Sequence, residues 1–250
     1  MKTIKLYKNT VTILFDEERH RFFHLDGKSI KGVTSYTGVL DKPALIPWAT
    51  KMMGLYLYQN WDIGKVKTDA DKAILIETAK REFRRIKIEA AEKGKEAHAW
   101  AEDWTKGKKP KMPEDSQVRN AVIAFLDWFK QSGIKIVSSE RFVYSKRYNY
   151  AGIMDWEGKR GKDLIIGDYK TTNAIYPEMR FQVALYQQAR EEESGKEYAE
   201  SHIIQFGKES AEFNRLIIPR KEYLKDLKAA LGCIPIKNRL NELQNGNQKV

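Results

Sequence analysis

Apolar residues recur at three- and four-residue steps between Thr68 and Lys106, at Ile74, Ala79, Phe83, Ile86, Ala90 and Ala97, and no proline interrupts them. That spacing predicts helix. The run is longer than an ordinary globular helix, so a break near Gly94 or a helix pair is expected. Gly107-Lys108-Lys109-Pro110 closes it, and Val118 to Phe129 gives a further amphipathic helix that ends at Gly133. The pattern then changes to β-rich runs at Ile134 to Tyr144, Tyr150 to Glu157 and Leu164 to Lys170. Lys146-Arg147-Tyr148-Asn149 and Gly158-Lys159-Arg160-Gly161 lie between them as turns, which predicts three consecutive strands.

Helical spacing returns from Pro177 to about Glu193, with Phe181, Leu185 and Ala189 on one face. Tyr198 to Phe206 and Phe213 to Ile218 are strand-like, Lys221 to Leu243 is a helix kinked at Pro235, and Asn245 to Val250 is a frayed tail. At the other end, Val11 to Phe15 and Arg21 to Leu25 flank the charged turn Asp16-Glu17-Glu18 and predict a small sheet. Thr34-Ser35 offers an N-cap for a short helix ending before Pro43, and Pro47 suits the first turn of another through Trp48 to about Tyr58. The expected fold class is α/β, a central mixed β-sheet flanked by helices with a helical N-terminal elaboration. A single domain is expected over 1–250: a β-hairpin region at 1–33, a helical region at 34–132, a core at 133–244 and a tail at 245–250.

Chemistry concentrates in the second and third strands of the central run. Gly152-Ile153-Met154-Asp155 lies on one, and Asp168-Tyr169-Lys170-Thr171 ends the apolar run Leu164-Ile165-Ile166 on the next. A hairpin would set Asp155 beside Asp168. Two buried carboxylates repel and lose hydration, and a divalent cation removes that cost. Such a cation, with Lys170 close by, can neutralise a phosphodiester and generate a nucleophile from water. The bland alternative is a pair of strand-end aspartates capping loops. Asp-x-Lys alone is a weak signal, since it recurs at Asp26-Gly27-Lys28 and Asp226-Leu227-Lys228, with Glu157-Gly158-Lys159 a near relative. Asp26 lies in a turn, Asp226 on a charged, solvated helix face, and Glu157 before a glycine-rich turn. Only Asp168 follows a continuous apolar run of the kind a buried strand needs.

Composition fits this picture. A net charge of +11 suits a polyanionic partner such as DNA. Cys233 is the only cysteine, which excludes an intramolecular disulfide, a zinc cluster of cysteines and an iron–sulfur cluster. The N-terminal residues carry no secretory apolar core, and no apolar run is long enough to span a bilayer. A soluble, cytoplasmic protein with no membrane partner is expected.

Gly152-Ile153-Met154-Asp155, Asp168-Tyr169-Lys170-Thr171, Gln182-Val183-Ala184-Leu185-Tyr186 and the upstream Gly94-Lys95-Glu96-Ala97-His98 together resemble the motifs of RecB-type nucleases of the PD-(D/E)xK (restriction-endonuclease-like) superfamily. Gly32-Val33-Thr34-Ser35 and Trp48-Ala49 resemble the N-terminal region of phage RecB-like exonucleases and of the mitochondrial genome-maintenance exonuclease. The resemblance runs from about Gly32 to Ala189. It implies that His98, Asp155, Asp168 and the Tyr169 carbonyl hold Mg²⁺ or Mn²⁺, as one or two ions. It further implies that Lys170 orients or deprotonates water and offsets charge on the transition state, and that Gln182 and Tyr186 contact substrate or that lysine.

His98 taken alone would be an ordinary helix histidine, and Tyr186 alone a polar residue at a helix edge. Glu140 is either an accessory acid or a solvated strand residue. Arg141, Lys146, Arg147 and Tyr148, expected next to the site, are candidate DNA contacts with Thr171, as are Arg81, Arg84 and Arg85 on the long helix. The implied activity is metal-dependent DNA exonucleolysis leaving 5′-phosphates, on single strands or DNA ends, in recombination, repair or genome processing. The expected protein is a monomer, phage-encoded in a bacterial host. The rivals are a structure- or sequence-specific endonuclease of the same fold and a non-catalytic DNA-binding protein. Some RecB-like nucleases carry a cysteine set for an iron–sulfur cluster; with its single cysteine this chain resembles the cluster-free exonuclease branch.

Overall fold

The computed structural model describes residues 1–62 and 64–246, so the tail beyond residue 246 lies outside the described residues. The chain divides into two compact units, Met1–Leu40 with Ala97–Val250, and Asp41–Glu96.

The first unit is built on a mixed sheet. Strands β1 (Lys2–Leu6), β2 (Val11–Asp16), β3 (Arg21–Phe23) and β4 (Ser29–Gly32) form an antiparallel meander. Strands β5 (Lys135–Ser145), β6 (Tyr150–Arg160) and β7 (Asp163–Lys170) form a second one. The two are joined in parallel by β4 and the start of β6, at Lys31↔Tyr150 and Gly32↔Ala151. Strand β8 (Glu200–Phe206) runs parallel to β7, and β9 (Phe213–Pro219) antiparallel to β8. The expected mixed α/β architecture is present. Strand β6 runs on to Arg160 instead of turning at Gly158. A Cβ on Gly158 would sit 2.7 Å from Ile134 Cγ2, so this glycine marks close packing, and the turn falls at Gly161.

The helices are α1 (Val33–Thr37), α2 (Leu45–Asn60), α3 (Asp69–Thr105), α4 (Ser116–Ser132), α5 (Pro177–Ser194) and α6 (Arg220–Gly246). The unit of Asp41–Glu96 consists of α2 and the greater part of α3, where Trp48 meets Phe83 edge to face. In the first unit, α1, α5 and α6 cover one sheet face through Tyr36, Val183, Leu185 and Tyr223, which pack with Met154, Ile166 and Ile203. The end of α3 and α4 cover the other through Ala97, Trp100, Phe125 and Trp128, packed with Trp156, Ile165, Tyr169 and Phe206. Each buried Val, Leu, Ile, Met or Phe among them contributes roughly 1.5–3 kcal/mol. The alternation of Ile165 and Ile166 between these cores explains why β7 is a continuous apolar run.

Three local expectations change. The short helix begins at Val33 with extended Gly32 as its N-cap, because the β4–β6 ladder ends at that glycine. The long helix does not break at Gly94. Thr68 and Asp71 exchange backbone N–H bonds as a capping box, and Lys72–Asp69 and Lys80–Glu77 pair one turn apart. One interior glycine costs only about 1 kcal/mol against that support. Asp226 is buried on α6 in an ion pair with Arg180 of α5 at 2.9 Å, since that helix face packs inward and is not solvated. Pro235 lies inside α6 without ending it. No helix among the described residues is long and apolar enough to cross a membrane.

Candidate active site

The β6–β7 ladder runs from Arg160↔Asp163 to Trp156↔Gly167 and stops. The next pair in that register is Asp155 and Asp168. Where the ladder stops, the Tyr169 N–H donates to Asp155 Oδ2 at 2.6 Å. The strand is irregular at this level. Met154 packs in the core under α5 and Trp156 in the core under α4, although residues two apart in a regular strand share a face. On the other side of β6, the ladder pairs Ser139 with Trp156 and Arg141 with Met154, leaving Glu140 between them with φ of +50°. A left-handed backbone at a non-glycine residue costs on the order of 1–3 kcal/mol and is held here by the flanking ladder.

Helix α3 supplies the imidazole. Ala97 and Ala101, one turn apart, are buried against α4, while Trp100 and Trp104 meet Phe125 edge to face. That anchoring leaves His98 edge-on to the Tyr169 ring, with Nδ1 3.6 Å from Asp155 Oδ2. His98, Glu140 and Asp155 each offer a ligand atom within 4.8 Å of the others. The structure therefore gathers two of the expected ligands with Glu140, and Asp168 lies outside that trio.

Asp168 instead pairs with Lys170, two residues along the same face of β7. The Lys170 Nζ also donates to Gln182 Oε1 at 3.2 Å, and Gln182 Nε2 donates to Tyr186 Oη at 3.0 Å. The i, i+4 spacing on α5 makes this chain possible. Gly152 makes room for it, because a Cβ there would fall 2.5 Å from Tyr186 Cε1 and 3.3 Å from Val33 Cγ2. The expected consequence is that Gly152→Ala shifts Tyr186 and, through Gln182, the lysine. A fall in kcat of about tenfold with KM little changed would show this in steady-state kinetics, given the cost of small misplacements. An unchanged kcat would remove the link.

Charges are strongly perturbed. Burial pushes Asp155 up, but His98, Lys170 and the Tyr169 N–H outweigh it and hold the carboxyl below its ordinary range. Burial pushes Asp168 up to about 6, opposed by Lys170 and reinforced by Asp155. Burial, with Asp155 and Glu102 adding to it, pushes Glu140 up to about 7. His98 is raised, because the Asp155 carboxylate overcomes the opposing effect of burial. Lys170 is raised for the same reason by Asp168 and Asp155. Clusters of perturbed groups concentrate at catalytic and metal centres and also arise in structural ion-pair networks. Glu102 was not singled out from sequence. It sits one helical turn past His98, and that i, i+4 spacing was the available signal.

The candidate DNA-contact residues are scattered. Arg141 donates to Glu193 Oε1 at 3.3 Å, Lys146 Nζ lies 4.2 Å from the Tyr7 ring centroid, and Arg147 stacks near Tyr148. The β5–β6 turn that carries Lys146, Arg147 and Tyr148 is at the far end of the hairpin, on the order of 17 Å along β6 from Asp155. It is not next to the site, because β6 begins only at Tyr150 and needs five more residues to reach Asp155. Thr171 directly follows β7. Arg81, Arg84 and Arg85 belong to the other unit, where Arg85 is held by Glu82 and Glu89 of its own helix.

No protein-family model matches the chain, and no curated protein matches it. Among solved structures, an alkaline exonuclease (LHK-Exo) from Laribacter hongkongensis matches at 10% identity with a TM-score of 0.30, over 50% of this chain and 70% of that one. At that TM-score the likeness carries no functional argument, and the geometry of the site has to supply it.

Proposed function

We propose that the chain is a RecB-type nuclease of the PD-(D/E)xK fold, hydrolysing DNA phosphodiesters with Mg²⁺ or Mn²⁺ and acting on single strands or DNA ends. The observation that carries this reading is the convergence of His98, Glu140 and Asp155 beside the Asp168–Lys170 pair, where the β6–β7 ladder ends. The donor set fits a divalent cation of this kind. It offers one imidazole nitrogen and hard carboxylate oxygens, and among the described residues the buried Asp168 Oδ2 meets only the Lys170 ammonium.

His98, Asp155 and Asp168 would hold the ion with the Tyr169 carbonyl, and Glu140 would join them. The bound ion would polarise a phosphoryl oxygen and acidify a water. The chain's own groups do the rest. Lys170, kept protonated by two carboxylates, offsets negative charge as it builds on the phosphorus centre and is better suited to that than to acting as a base. Gln182 aims the ammonium, and Tyr186 holds Gln182. The Tyr169 N–H and His98 keep Asp155 ionised over the working pH range.

Labelled DNA tests the activity. Linear strands labelled at either end should lose nucleotides in the presence of Mg²⁺ or Mn²⁺, and chelation should stop the loss. Cleavage of closed single-stranded circles would assign the site to an endonuclease, and no cleavage of any DNA would remove the proposal.

The same cluster sets a pH dependence. Asp168 and Glu140, raised to about 6 and about 7, bind more protons in the folded than in the unfolded chain. Their stabilising contribution is complete at low pH and is lost as pH rises through those values. In chelator, the melting temperature should therefore fall between pH 5 and 7.5, less steeply in an Asp168→Asn/Glu140→Gln variant. Mn²⁺ should raise the wild-type melting temperature more at pH 7.5 than at pH 5. A larger cation effect at pH 5 would contradict this assignment of charge.

A further inference from the structure

Strands β4 and β6 part after the Gly32↔Ala151 pair, and a crevice of about 300 Å³ opens between the start of α1 and Gly152-Ile153. The crevice lies where β4 ends and β6 has only begun. Arg21, Ser29, Lys31, Thr34 and Ser35 line this one, with no acidic residue in the wall. None of the five side chains has an ion-pair or hydrogen-bond partner among the described residues. Arg141, Arg190 and Arg220 of the same unit are each taken up by a neighbouring acid, and Arg21 and Lys31 are not.

Two unpaired cations and three free hydroxyls around one concavity are the donor set of a phosphate. A crevice of about 300 Å³ has room for a phosphate with its sugar. Tyr186 forms part of the wall and, on its other side, holds Gln182 of the Lys170 chain. Gly152 is three residues from Asp155, on the order of 10 Å along the strand. We infer that the crevice binds a second phosphate of the DNA strand, within a nucleotide or two of the one that is cut. The identity of the strand rests on the nuclease reading. The phosphate chemistry rests on the crevice itself.

Binding in chelator tests it without hydrolysis. Anisotropy of labelled single-stranded oligonucleotides bearing a 5′-phosphate, a 3′-phosphate or neither, with closed circles as competitors, is compared for the full-length wild type and Arg21→Gln/Lys31→Gln. The double variant should bind about tenfold more weakly, and its slope of log affinity against log salt should drop by about 1.4, the single-strand value for two phosphate contacts. The Arg21→Lys/Lys31→Arg variant should restore binding to within about twofold, which a mere folding defect in the glutamine variant would not reproduce. Equal losses for linear and circular DNA assign an internal diester. A loss confined to one phosphorylated end assigns a terminal monoester. Unchanged affinity and slope for every DNA would overturn the site. Should wild type then cut DNA with Mn²⁺ while the crevice proves inert, only the crevice falls. Should binding depend on the crevice while no DNA is cut, the nuclease reading falls and the phosphate site stands.

Discussion

Replacing Lys170 with alanine is expected to slow DNA hydrolysis by about 10²–10³-fold, in line with the loss of one preorganised charge-stabilising donor. DNA affinity should change by no more than a few-fold, since the cation-rich crevice and the metal ligands stay in place. The reason lies in how the side chain is held. Its ammonium sits between Asp168 and the Gln182 carbonyl oxygen, largely out of solvent, and both neighbouring carboxylates keep it charged. Arginine should not restore the rate, because its planar fork cannot occupy a position shaped for a point charge. Single-turnover rates with saturating Mn²⁺ separate this from a binding defect. A Lys170→Ala enzyme within threefold of wild type would mean that the lysine serves Asp168 structurally and nothing more.

The largest effect on stability is expected at Gly167→Ala. A Cβ at this position would fall 1.9 Å from Trp156 Cζ2 and 2.0 Å from its Cε2. That indole cannot yield, because it is fully buried and in contact with Trp128, Tyr169 and His202. The overlap should cost about 3 kcal/mol or more, at the upper end for overpacking. For a chain of this size that is a fall of roughly 6–12 °C in melting temperature. Gly167 directly precedes Asp168, so residual activity should fall with it. Thermal unfolding of Gly167→Ala within about 2 °C of wild type would show that the β6–β7 pair can open to admit the methyl group.

These two sites differ in how far they could be seen in the sequence. Strand β7 was legible because a strand buried on both faces needs an unbroken apolar run, and Asp168 stood out as the carboxylate ending that run. Helix α5 was legible from Leu185 and Ala189 at helical spacing, and with it the shared face of Gln182 and Tyr186. The parallel joining of β4 to β6 was not legible. Strand β4 has four residues with only Ile30 buried, so its place is set by a partner far along the chain. The slip at Asp155 and the left-handed backbone of Glu140 were hidden too, because Ser139-Glu140-Arg141 holds no glycine to signal them. The buried pairs Asp226–Arg180 and Glu157–Arg190 look in sequence like solvated charges, and only packing shows that they close the α5 face. The crevice cations come from two separate strands, which no local pattern connects. Gly152 and Gly167 were visible as letters, but the aromatic rings that exclude a side chain there became known only with the fold.

Direct titration of Mn²⁺ into chelator-treated protein, read from the loss of the free-ion paramagnetic signal, bears most closely on the central claim that His98, Asp155 and Asp168 form a cation site with Glu140. Saturable binding by wild type is expected, weakened by at least about tenfold in Asp155→Asn, a variant that keeps the shape of the side chain and removes its charge. Wild type that binds no Mn²⁺ saturably, or Asp155→Asn that binds it as tightly as wild type, would contradict the account.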